Sequence, residues 1–268
     1  MFWRRLIISV LIFSVILGTA GYFGYQKLLR EQYVVPILMY HSVNVKFTEL
    51  NNRLVVSPAV FERQMRFLKE HRYVLSLEAL ADLIREKKPL PPKAVVITFD
   101  DGYKDSYTYA FRVLKKYQLP ATMFIIIDEV GRPEGDRLSW QEIKEMQSSD
   151  LITFGSHALG PEPLVNIKSE EELKRQIFLS KQILEKQLVK EINAFSYAGG
   201  MFTPRIRQLV IEAGYKLAVA TRPGRDYPSD DVFALKRIRI SSSSANWLDF
   251  WYRTSGVFTY IKEWHQGR

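Results

Sequence analysis

Residues 94–103 read Ala94-Val95-Val96-Ile97-Thr98-Phe99-Asp100-Asp101-Gly102-Tyr103. Val95, Val96, Ile97 and Phe99 form a short apolar, β-rich run, bounded by Pro91-Pro92 before it and Gly102 after it. That is the pattern of a buried strand. Asp100 and Asp101 therefore fall where the strand ends, and in parallel α/β architectures that end carries the chemistry. Two adjacent carboxylates repel each other. A metal ion, or environments that split them into acid and base, is the usual reason for such a pair. The same letters also suit an ordinary turn and helix cap, because Asp-Gly is common turn chemistry and residues 103–117 read as a helix.

Outward from this stretch, strand and helix patterns alternate. A first strand is expected over 34–40, ending at His41-Ser42. Ser57-Pro58 opens a helix carrying Phe61, Met65 and Leu68, and a short strand over 73–75 leads to a helix over 77–85 capped by Ser76. Further strands are expected over 121–127, 151–155, 194–197, 216–221 and 234–240. The intervening helices span 106–117, 139–146, 169–188 and 204–213, and a terminal helix begins at Trp247. The alternation predicts an α/β fold with a parallel sheet under covering helices, and the number of units suggests a (β/α) barrel. His41, Asp100, Asp101, His157 and Gly199 all fall at strand C-terminal ends, which converge on one mouth in such a barrel.

The 268 residues are 47% hydrophobic, enough for a substantial core, and contain no cysteine, which excludes disulfides and thiolate metal sites. The net charge is +9. The basic residues are scattered (Arg4-Arg5, Lys87-Lys88, Lys115-Lys116, Arg205, Arg207, Arg222, Arg225) and form no nucleic-acid motif. No nucleic-acid partner is expected; an anionic membrane or cell-wall surface is the simpler account. Residues 6–25 carry no charge and sit between Arg4-Arg5 and Lys27, Arg30. Roughly 20 helical residues span a bilayer core. The positive flank places the N-terminus inside and the remainder outside the cytoplasm. An uncleaved single-pass membrane anchor is favoured over cleavage after Ala20, which would give a secreted protein. The domains are then a 1–30 anchor and a 34–268 catalytic-like domain, with its core over about 92–240.

Asp101 and His157 make a half-site for a divalent metal, since a carboxylate oxygen plus an imidazole nitrogen suits zinc or a similar ion. Asp100 beside them is the candidate base for a water acidified by that metal. On these residues the chain resembles the polysaccharide deacetylases, the NodB-homology family. Residues 98–103 look like its first motif, supported by Pro36-Ile37-Leu38-Met39-Tyr40-His41-Ser42, Ala121-Thr122-Met123-Phe124-Ile125 and Gly155-Ser156-His157. The resemblance covers roughly residues 34–240. It implies a distorted (β/α) barrel, metal-dependent removal of acetyl groups from glycans, Asp100 as catalytic base, and Asp101 and His157 as metal ligands.

The chain departs from that pattern in two places. The family's second motif places another ligand histidine four residues after the first, and Pro161 stands there, with Glu162 adjacent as a potential substitute. In the third motif, 195–200, Tyr197 and Gly200 are kept, and the family's proline and second tyrosine are lost. Gly199 would supply the backbone N–H that the family uses for the oxyanion. His41 resembles the first-strand histidine of exported members and is a candidate orienter or replacement ligand. Arg237 resembles the arginine of a later strand. The closing histidine motif has no counterpart, and His265 reads as a solvated tail residue. Two readings result: a membrane-anchored, zinc-dependent deacetylase of an amino-sugar polysaccharide, or a degenerate member that binds a glycan or partner without catalysis. A glycosidase using Asp100 and Asp101 fits poorly, since its carboxylates stand about 5–9 Å apart across the sugar bond and strand neighbours point to opposite faces.

Overall fold

The structure, a computed structural model, describes residues 2–31, 34–45, 53–133, 135–221 and 230–259. Helix α1 (Phe2–Glu31) is uncharged from Leu6 to Gln26, and its Trp3–Leu28 stretch is long and apolar enough to cross a membrane by length and composition. Strand β1 (Ile37–Tyr40) follows, then the short pair β2 (Ser42–Val43) and β3 (Val55–Val56). Helix α2 (Pro58–His71) starts where Ser57 accepts from the Val60 N–H and Pro58 takes the first turn. Strand β4 (Tyr73–Leu75) leads to α3 (Leu77–Arg85), capped by Ser76. Next come β5 (Ala94–Phe99), a π turn (Ser106–Phe111) running into α4 (Arg112–Tyr117), β6 (Ala121–Ile125), and α5 (Trp140–Gln147) with a Ser139–Glu142 capping box. After β7 (Ile152–Ser156), helix α6 (Glu170–Lys174) passes through a second π turn (Arg175–Leu179) into α7 (Ser180–Leu188). Strand β8 (Ala194–Ser196), α8 (Pro204–Glu212), β9 (Leu217–Ala220), β10 (Leu235–Arg239) and α9 (Trp247–Arg253) complete the order.

Seven parallel strands close the barrel in the order β1-β5-β6-β7-β8-β9-β10, and β10 pairs back onto β1. The ring is uneven. Strand β4 pairs with residues 94–96 of β5, while β6 pairs only with Thr98 and Phe99 on the same edge. That split makes the ring irregular, in keeping with the distortion the sequence resemblance implies. Strand β5 is buried along its whole length, as both faces of a parallel sheet must be. Phe124 projects into the interior with Val96, Ala194 and Val219. It fits because Gly155 has no side chain: a Cβ there would lie 2.6 Å from the Phe124 ring. Gly155→Ala is accordingly expected to destabilise the barrel by about 1–3 kcal/mol through overpacking, read as a lower denaturant midpoint. An unchanged midpoint would show that Phe124 swings aside freely.

The helices over 106–117 and 169–188 differ from the uniform α-helices the sequence predicts, because each contains a π turn. The second π turn places Gln176 inward, where it is buried. The barrel also has a polarity. Only residues 32–36 separate α1 from β1, a reach of about 20 Å. The N-terminal ends of the strands therefore face α1, and the mouth lies at the far end.

Candidate active site

Asp100 and Arg237 face each other across the barrel, from the end of β5 and from β10. Arg237 is among the largest fully buried side chains. Its Nη1 donates to Asp100 Oδ1 at 2.6 Å and its Nη2 to Oδ2 at 2.7 Å, a bidentate pair. Nη2 also donates to Ser196 Oγ at 2.9 Å, and Nη1 reaches Thr98 Oγ1 at 3.4 Å. Burial by itself would raise the Asp100 pKa. The Arg237 charge, followed by His157, overcomes it and holds the carboxylate at about 2.

Asp101 has left the strand. Its φ is +68°, in the left-handed region that Asp tolerates better than most residues, and Gly102 continues the turn at +64°. This turns the Asp101 carboxylate back toward its neighbour. Both carboxylates approach His157 Nε2, Asp101 Oδ1 at 3.4 Å and Asp100 Oδ2 at 3.9 Å. The expectation that strand neighbours diverge fails here, because only Asp100 keeps the strand direction. The glycosidase reading is disfavoured on other grounds: Arg237 holds Asp100, and the contact with His157 holds Asp101, below the usual carboxylate range, so neither is poised as a general acid at neutral pH.

His157 Nδ1 lies 2.8 Å from the Ser196 carbonyl, which only accepts, so Nδ1 carries a proton and Nε2 is directed at the two aspartates. Burial alone would lower the His157 pKa; the charge of Asp100, then the contact with Asp101, outweighs it and raises it. The point between Nε2 and Asp101 thus favours positive charge, a proton or a metal ion. His41 closes another side of the mouth. It is buried, its Nδ1 has no hydrogen-bond partner among the described residues, and it feels the fields of Asp100 and Asp101. Burial, together with the Arg237 and Arg239 charges, outweighs both carboxylates and lowers its pKa.

The loop after His157 brings the second and third motifs into contact. Ala158 has φ +67°, and the Leu159 and Gly160 N–H groups both donate to Gln176 Oε1. Gly199, at φ +73°, sits against Pro163 so closely that a Cβ would lie 2.9 Å from it. Glu162 does not join the site: it is exposed, and its carboxylate accepts from Asn166 Nδ2. Tyr197 is buried with its hydroxyl donating to the Phe233 carbonyl, so it shapes the wall beside Phe202 and offers no polar group to the mouth. His265, Arg222 and Arg225 lie outside the described residues. Among the described residues no cluster of three ligating side chains forms. The donor set suited to a divalent ion is the Asp101 carboxylate and His157 Nε2, two protein ligands where structural and catalytic zinc sites use three or four. Sequence reasoning missed Ser196, whose carbonyl orients His157 and whose hydroxyl binds Arg237; its place at the end of β8 was the only signal.

Residues 87–218 match the polysaccharide deacetylase family. YxkH of Bacillus subtilis (strain 168), provisionally named a polysaccharide deacetylase, is 32% identical over 209 residues, 77% of this chain and 71% of its own length. The chain belongs to the polysaccharide deacetylase family. Another member, the poly-β-1,6-N-acetyl-D-glucosamine N-deacetylase of Staphylococcus aureus (strain MRSA252), is 28% identical over 276 residues, 90% of this chain and 94% of its own. The Streptococcus pyogenes deacetylase PplD, solved in complex with acetate, superposes with a TM-score of 0.69 at 32% identity, covering 78% of this chain and 92% of that one. The distorted barrel is thus a polysaccharide deacetylase barrel, and these relatives point to deacetylation of an amino-sugar polysaccharide.

Proposed function

We propose that this polysaccharide deacetylase hydrolyses N-acetyl groups on an amino-sugar polymer outside the cytoplasmic membrane, held there by α1 as an uncleaved anchor. The observation that carries the reading is Asp100, ionised and fixed by Arg237 beside Asp101 and His157 at one mouth. Water adds to the acetyl carbonyl and the C–N bond breaks, giving acetate and the amine. Asp100 is positioned to take the proton from the attacking water. The Gly199 N–H stands for the oxyanion donor. The water proton then passes from Asp100 to the departing nitrogen, and His41, buried beside both aspartates, is placed to orient the site.

A carboxylate held at about 2 is a weak base for ordinary water. A divalent ion, zinc by its donor set, would be held by Asp101 and His157, and when bound it lowers the pKa of water to about 7. Two ligands hold it less firmly than three. The loop bearing Pro161 is pinned by Gln176, so a histidine at 161 would be presented from a fixed backbone. Pro161→His is therefore expected to raise zinc retention about tenfold or more, measured as metal per chain after dialysis. Equal retention in both proteins would show that position 161 does not face the metal.

The function is tested with the full chain in detergent, incubated with poly-β-1,6-N-acetylglucosamine and zinc while released acetate is measured. Acetate release supports the reading. Retention of the polymer without acetate release would favour the second reading, a glycan-binding member without catalysis, whose supporting observation is the missing ligand at Pro161.

A further inference from the structure

A groove of about 440 Å³ runs along the flank of the barrel, between α2 and the segment from Ser244 to Phe250. Its volume is within the range of small-ligand sites. Trp247 forms one wall. It is 55% exposed, and its ring stands edge-on to Phe67 at 4.5 Å and 88°, which fixes it while leaving ring surface open. Arg63 and Arg66 line the opposite side, exposed and with no hydrogen bond or ion pair among the described residues. Glu70 and His71 close the far end.

The floor of the groove is joined to the mouth. Buried Gln64 accepts from the Tyr40 hydroxyl at 2.9 Å and donates to the Ser244 carbonyl at 3.0 Å. Tyr40 immediately precedes His41. Ser244 lies five residues after Arg239, the mouth end of β10. The groove and the mouth thus share the Tyr40–Gln64–Ser244 link.

We propose that the groove is a second binding site for the acetylated amino-sugar strand, which it holds beside the mouth; this rests on the polysaccharide reading above. An open aromatic face with unpaired planar donors suits sugar rings, which present apolar faces edged by hydroxyl and acetyl oxygens. A bilayer surface is flat, and this site is concave with charges of both signs. The charge also gives the groove a direction. Arg63 and Arg66 can donate to an acetyl carbonyl but repel the ammonium that deacetylation leaves, so the groove favours substrate over product.

The test is retention of the detergent-solubilised full chain on immobilised poly-β-1,6-N-acetylglucosamine and on the same polymer after chemical deacetylation. Wild type is expected to bind the acetylated form more tightly. Trp247→Ala, and separately Arg63→Ala with Arg66→Ala, should each weaken that binding about tenfold. They should raise KM on polymer and leave kcat/KM on an acetylated disaccharide unchanged. The arginine pair is exposed, so it stands in for Trp247→Ala if the latter loses its Phe67 packing and fails to fold. Retention needs no turnover: a wild type that binds but releases no acetate sinks the proposed activity and leaves the groove standing. Unchanged polymer binding in the folded arginine variant, or no binding by wild type, would each overturn the proposal.

Discussion

Replacing Asp100 with Asn is expected to lower acetate release by about 10²–10⁴-fold, the usual contribution of a positioned general base. Asn is nearly isosteric and its amide oxygen still accepts one bond from Arg237, but its NH2 faces the other guanidinium nitrogen and the buried Arg237 charge loses its partner, so the denaturant midpoint is measured beside activity to separate lost chemistry from lost folding. The substitution removes the negative charge and the site for the water proton. It also relieves the repulsion with Asp101 and takes away the strongest charge raising the His157 pKa. The expected signature is a fall in kcat with little change in KM, since no contact to the sugar is touched. If Asp100→Asn retains activity within a few-fold of wild type, Asp100 is not the base, and the mouth chemistry must be assigned to His41 or Asp101.

Arg237→Ala is expected to cost about 3–5 kcal/mol of stability, because it leaves the buried Asp100 carboxylate without its partner. The sign of the pH effect follows. Asp100 is held at about 2 in the folded state against an ordinary 3.8, so the pair stabilises the fold above about pH 4 and that stability is lost as pH falls toward 2. Removing Arg237 leaves burial as the leading influence and raises the Asp100 pKa. The variant's stability should then no longer fall between pH 4 and 2 in the way the wild type's does, which acid titration of the denaturant midpoint would show. A full wild-type acid slope in Arg237→Ala would mean that Asp100 is held down by something other than this pair.

Much of the barrel was legible in the sequence because its signals are local. The β5 run is apolar and bounded by turn residues. Ser57, Ser76 and Ser139 stand one residue ahead of their helices, and each accepts from the N–H of the residue three positions on, as caps do. The site was legible only as a set of strand ends. Its pairings are long-range: Arg237 meets Asp100 across 137 positions, and His157 meets the Ser196 carbonyl across 39. No periodicity encodes such contacts, which is why Arg237 read as an accessory and Ser196 was not singled out. The direction of Asp101 was misread because its left-handed φ is set by the turn into Gly102. Glu162 looked like a substitute ligand by adjacency alone, and its carboxylate is bound to Asn166. The π turn at Arg175–Leu179 was invisible in the apolar spacing, yet it is what delivers Gln176 to the loop after His157.

If α1 is the membrane anchor proposed above, its short connection to β1 makes the molecule a leashed tool. The strands rise about 20 Å from their tethered ends to the mouth, and the link adds at most about 20 Å more. With such an anchor, acetyl groups are within reach only in a thin shell over the lipid. The effective substrate is the local density of strands in that shell, not the amount of polymer in the surroundings. Lengthening residues 32–36 with a flexible insert should widen the shell without altering the mouth. The pattern of deacetylation along a strand would then record how far each sugar lay from the membrane when it was cut.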